Sequence, residues 1–128
     1  MESPGHEVLA RPDRVVAALR AAGGRFGFIH GSRVHGRPRP DSDLDIAAWF
    51  GGADPAPWTI VLPATVDLLV LDRAPLYLAG RIALHGVLLF EDDPAARVAW
   101  QGDTRLRYLD ELALQREVAD TFFGATRG

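Results

Sequence analysis

The 128-residue chain has no cysteine. That absence removes a disulfide framework, a thiolate nucleophile and a thiolate metal site together. Lysine and asparagine are missing too, so all 14 basic residues are arginine. A coding bias toward GC-rich codons is the simplest account, although the planar guanidinium also suits phosphate recognition. Acids outnumber bases, for a net charge of -3, and the arginines are scattered. No broad basic face is available for duplex DNA, which argues against a template-using polymerase. No apolar run approaches the roughly 20 residues needed to cross a bilayer. The start, Met1-Glu2-Ser3-Pro4-Gly5-His6, has neither the basic opening nor the apolar stretch of a secretory signal. Together these absences lead us to expect a cytoplasmic protein with no membrane attachment. A hydrophobic fraction of 48% and a charged fraction of 24% are those of a globular chain, and the length suits one domain with a real core.

Residues 1–11 carry proline, glycine and charge without periodicity and are expected to form a loose N-terminal arm, leaving 12–128 as the domain. A first helix should begin at Pro12 or Asp13, with Val15, Ala18, Leu19 and Ala22 as its apolar stripe and Gly23-Gly24 as its stop. Strands are expected over 25–30, 43–50, 66–71 and 87–90, with a short helix or irregular crossover in the proline-rich stretch 51–63. Pro75 should open a helix ending before Gly86. Asp93-Pro94 reads as a cap followed by a first-turn proline, and Gly102 reads as a weak point or break in the helical segment that this cap begins. Further on, Leu109, Leu112, Arg116, Ala119 and Phe123 alternate spacings of three and four, so that this helix must pack on something.

The chemistry gathers between Gly31 and Ile46. In a strand, alternate side chains share a face, so Asp43 and Asp45 point one way while Leu44 and Ile46 point the other. Two carboxylates about 4 Å apart repel by about 4 kcal/mol at an effective dielectric near 20, an arrangement that makes sense with a cation between them. Oxygen-only ligands point to magnesium or a similar hard ion. Asp67 interrupts the apolar run Val66 to Leu71. If its strand lies beside that of Asp45, it completes a cluster able to hold two metal ions, as in two-metal nucleotidyl transfer. Gly31-Ser32 follows the apolar run Phe26 to Ile29 and can turn sharply, presenting backbone N–H groups and a hydroxyl to phosphate. His30 is assigned to packing, His6 and His85 to surface or structure, and Tyr77 and Tyr108 to core or interface.

Gly31-Ser32, ten intervening residues, Asp43-Leu44-Asp45 and the later Asp67 form a pattern that resembles the minimal nucleotidyltransferases of the DNA polymerase β superfamily. More closely, it is similar to the MntA-type antitoxins that are paired with HepT-type toxins. The likeness runs over residues 13–123. One position departs from the family's usual Gly-Ser-x-Ala-Arg-Gly. His35 stands where an arginine is expected, with Arg33, Arg37 and Arg39 near enough in sequence to substitute. The resemblance implies an α+β polymerase β-like nucleotidyltransferase fold, a small mixed sheet with helices packed on one side and the three aspartates converging on its open face. It implies Asp43, Asp45 and Asp67 as catalytic and metal-holding residues for two magnesium ions (Mg2+), and Gly31, Ser32 and Arg33 as nucleotide-binding. ATP would be the substrate and AMP the group transferred, to a tyrosine of a HepT-like toxin bound in a hetero-oligomer. Two alternatives go with it: a silent module that restrains its partner by contact, or a stand-alone enzyme acting on a small-molecule hydroxyl.

Overall fold

In the computed structural model, residues 12–31 and 44–124 are described. The expected arm, Ser32, Arg33, His35 and Asp43 lie outside the described residues. Helix α1, Pro12–Ala21, has Asp13 in its first turn and Arg20 in its last, each placed where the helix dipole favours its charge. Its buried residues, Val15 and Leu19, are one turn apart on a single face. The helix closes with the Gly24 N–H donating to the Leu19 carbonyl at 2.7 Å.

Four short apolar segments become strands: β1, Phe26–His30; β2, Leu44–Trp49; β3, Val66–Val70; and β4, Val87–Glu91. Their order across the sheet is β3-β2-β1-β4. β1 runs antiparallel to both β2 and β4, whereas β2 and β3 are parallel. A parallel neighbour requires a crossover, and residues 50–65 supply it with only one 3-10 turn, Pro57–Thr59. Helix α2, Leu76–His85, and helix α3, Pro94–Gly124, complete the fold. Asp93 caps α3 as its position before Pro94 suggests: its Oδ1 accepts the Ala96 N–H at 3.0 Å.

β2 is apolar on both faces. Leu44, Ile46 and Ala48 join Val70, Phe90 and the α1 residues Val15 and Leu19 in one core. On the opposite face Ala47 joins Phe26, Phe28, Leu71 and Ile82, with Trp49 and Trp100 packed against them. The aromatic rings there touch directly, Phe26 stacked on Trp49 at 5.3 Å between centroids and Trp100 tilted against Phe26 at 5.6 Å. The α+β class and small mixed sheet are thus as expected, and α2 and α3 share one face. α1 lies on the other, because a strand with two apolar faces must be covered twice.

α3 does not break at Gly102. A single helical glycine costs about 1 kcal/mol relative to alanine, and here its neighbours Gln101 and Thr104 are buried. The Gln101 Nε2 and the Arg105 Nε both donate to the Ala83 carbonyl, at 2.9 and 2.6 Å. The face that packs runs through Gln101, Thr104 and Tyr108, rotated from the stripe read in the sequence, and Leu109 is half exposed. Among the described residues, no helix is long and apolar enough to cross a membrane.

One carboxylate holds the frame together. Asp72 accepts the Phe50 N–H at 2.9 Å and the Gly52 N–H at 2.6 Å, tying the end of β2 to the turn after β3. Losing it strands a part-buried backbone donor, so Asp72→Ala should lower stability by about 2 kcal/mol. Urea denaturation checks this; an unchanged midpoint would assign the turn to other contacts.

Candidate active site

Strand register decides which side chains meet. His30 of β1 lies opposite Asp45 of β2, and Asp45 lies opposite Asp67 of β3. Opposed residues share a face, and adjacent strands lie about 4.8 Å apart, so the three form a row across the sheet. Alternation sets which face it is. Ala47 and Leu69, two residues beyond the aspartates, belong to the core under α2 and α3, so the row lies on that helix-covered face and not on the open face expected from the sequence. It occupies the strand ends that the helices leave open: Asp67 is exposed and Asp45 is half-buried. Asp67 is not the buried acid its apolar run suggests, because among the described residues β3 is an edge strand.

Gly31 brings its turn against this row. Its φ is +87°, in the left-handed region that glycine alone enters without cost. A Cβ at this position would overlap the Asp45 carboxylate at Oδ2. Only a hydrogen at the α-carbon lets backbone and carboxylate approach so closely. The sequence-predicted Gly31, Asp45 and Asp67 are therefore brought together, while Ser32, Arg33 and Asp43 lie outside the described residues.

The row adds His30, which the sequence assigns to packing. Its Nε2 is buried and, among the described residues, has no hydrogen-bond partner. Burial pushes its pKa below the ordinary histidine value, against the pull of the Asp45 and Asp67 charges. The result is a neutral imidazole beside two carboxylates, able to donate or accept one hydrogen bond. Only the register reveals this position. A single cue preceded it in the sequence, a polar residue ending an apolar strand just before the glycine turn.

A cavity of about 450 Å³ opens beside the row, between the end of β1 and α2, lined by His30, Gly31, Leu78, Arg81, Ile82 and His85. Its α2 residues read in the sequence as part of an ordinary amphipathic helix, so nothing local announced it. Among the described residues, no three His, Cys, Asp or Glu side chains close around one metal position. What they contribute is the pair Asp45 and Asp67. As an oxygen-only donor pair on neighbouring strands, it fits part of the coordination sphere of a hard divalent cation such as magnesium.

No protein-family model matches the chain, and no curated protein is significantly similar to it. Solved structures do resemble it. A chain of a toxin–antitoxin crystal structure with AMP-PNP superposes with a TM-score of 0.70 at 21% identity, covering 88% of this chain and 98% of that one. A chain from a complex of a tri-AMPylated Shewanella oneidensis HEPN toxin with an MNT antitoxin gives 0.64 at 19% identity, covering 88% and 95%. A chain of an MntA–HepT toxin–antitoxin structure gives 0.59 at 16% identity, covering 88% and 96%. At these identities the likeness is one of fold, spanning nearly the whole of each of those chains.

Proposed function

We propose that residues 12–128 form a single nucleotidyltransferase domain of the MntA antitoxin type, which moves AMP from ATP to a tyrosine hydroxyl of a HepT-like toxin in the cytoplasm. The observation that carries this reading is the in-register pair Asp45 and Asp67 on adjacent strands, with the Gly31 turn pressed against Asp45. Two like charges held side by side by strand pairing repel one another, and a divalent cation shared between them would offset that repulsion. The fold shared with toxin–antitoxin structures, one carrying AMP-PNP and one an AMPylated toxin, supports the same reading.

Asp45 and Asp67, together with Asp43 from the same Asp-x-Asp, would hold magnesium, which when bound supplies charge neutralisation of the triphosphate and lowers the pKa of the attacking hydroxyl. The backbone at Gly31, the Ser32 hydroxyl and Arg33 would hold the β and γ phosphates. Asp67, exposed on an edge strand, stands where a bulky acceptor can approach, and it would take the tyrosine proton. The acceptor oxygen forms its bond to the α-phosphorus as the bond to the bridging oxygen of pyrophosphate breaks, so the products are AMP-tyrosine and pyrophosphate. Positioning and electrostatics supply most of the rate.

The test is transfer of label from α-labelled ATP to the purified HepT-like toxin, with and without magnesium. Label on the toxin, pyrophosphate release and loss of both with chelator are expected. ATP and magnesium that neither label the partner nor raise the protein's melting temperature would defeat the enzymatic reading and leave a silent binding module.

A further inference from the structure

α3 is longer than the body it packs on. Its 31 residues extend about 46 Å at 1.5 Å per residue. α2 covers only its first part: the start of α2, at Leu76 and Tyr77, shares a groove with Tyr108, Glu111, Leu112 and Gln115 of α3. Beyond that point α3 carries a second groove of about 420 Å³, which shares Glu111 and Gln115 with the first and is lined further by Leu114, Val118, Ala119, Phe122 and Phe123. Leu114, Val118 and Phe122 recur every fourth residue and are 53%, 60% and 71% exposed. A tail of a few turns is marginal as a lone helix, and an apolar stripe that adjoins an occupied helix seat is a surface left without its cover.

Charge chooses among occupants. Residues 110–124 hold Asp110, Glu111, Glu117 and Asp120 against Arg116 alone, so four acids less one base leave a net -3. Among the described residues, the only charged side chain lining the groove is Glu111. A second copy would bring two such segments together, like charge on like. A partner carrying arginine or lysine beside its own apolar stripe gains instead.

We infer that the distal face of α3, centred on Val118 and Phe122, is a helix seat that continues where α2 ends and receives an amphipathic, basic-flanked helix of the protein partner. This rests on the proposed reading in one respect, that the partner is the acceptor toxin. None of these residues belongs to the row of His30, Asp45 and Asp67, so docking and chemistry are separable. The seat holds the acceptor near the carboxylates, raising its effective concentration without touching the reacting atoms.

The experiment compares full-length wild type with Val118→Ser/Phe122→Ser and with Glu111→Arg, using the purified HepT-like toxin as probe. Helicity by circular dichroism and the ATP–magnesium melting shift report on fold and nucleotide handling. The apolar double variant should bind toxin about thirtyfold more weakly, with the melting shift intact, KM for toxin raised and kcat at saturating toxin unchanged. Glu111→Arg should weaken binding about tenfold at low salt and less at high salt. A folded double variant that binds toxin like wild type overturns the seat. So does wild-type chain that sediments alone as a dimer and is made monomeric by the double substitution, since the occupant is then a second copy. Wild type that binds toxin through this face yet transfers no AMP leaves the seat standing and removes the proposed reaction. Absence of any toxin binding by wild type overturns both.

Discussion

Asp45→Asn is expected to reduce AMP transfer by about a thousandfold, a loss of about 4 kcal/mol of transition-state stabilisation, while the melting temperature without magnesium stays level or rises. The substitution keeps size and shape but removes one charge from a pair aligned across β2 and β3. In the metal-free protein that pair repels, by about 4 kcal/mol if the charges stand 4 Å apart at a dielectric near 20 and by less where water reaches them. Asp67 is exposed, so the gain in stability should lie well below that figure. Asp67→Asn should behave in the same way. Asp72→Asn provides the contrast: this acid accepts the Phe50 and Gly52 N–H groups, and its loss should cost stability with transfer retained in the folded fraction. Labelled transfer and melting curves, each with and without magnesium, separate the two kinds of aspartate. An Asp45→Asn protein that transfers AMP at the wild-type rate would remove the carboxylate pair from the mechanism.

The second large effect reverses a usual sign. Gly80 lies inside α2 and is buried, and replacing a helical glycine with alanine ordinarily stabilises by up to about 1 kcal/mol. Here a Cβ would sit within the Tyr108 side chain of α3. Gly80→Ala should therefore destabilise by about 2 kcal/mol and Gly80→Val by more, since overpacking forces helix and ring apart. Tyr108→Ala makes the space that the new methyl needs. The double variant Gly80→Ala/Tyr108→Ala should consequently be more stable than the sum of its single changes implies, and urea midpoints for the four proteins of that cycle measure the coupling. A Gly80→Ala protein more stable than wild type would show that the helices separate without cost.

What is local was legible in the residues alone. The first helix and its glycine stop, the strand positions, the cap at Asp93 and the irregular crossover near Pro57 are all set by residues within a few positions of one another, so capping, proline geometry and period-two alternation make them legible. Alternation likewise placed Asp45 on the face away from Leu44 and Ile46 before any neighbour was known. The fold class was implied by the family resemblance that Gly31, Ser32, Asp43, Asp45 and Asp67 carry, and the shared fold of the toxin–antitoxin chains agrees with it. Tertiary structure alone decided everything that depends on a partner distant in the chain. The order β3-β2-β1-β4 made β3 an edge and thereby exposed Asp67, although its apolar surroundings in the sequence suggested burial. Register put His30 in line with Asp45, which no spacing could announce, because residues fifteen positions apart meet only through pairing. The second apolar face of β2 drew α1 to the side opposite α2 and α3. Burial of Gln101 and Thr104 carried α3 through Gly102, where propensity alone suggested a break. The same packing turned the working face of α3 away from Leu109, since a helix is rotated by whatever it rests on, and its own periodicity cannot say what that will be.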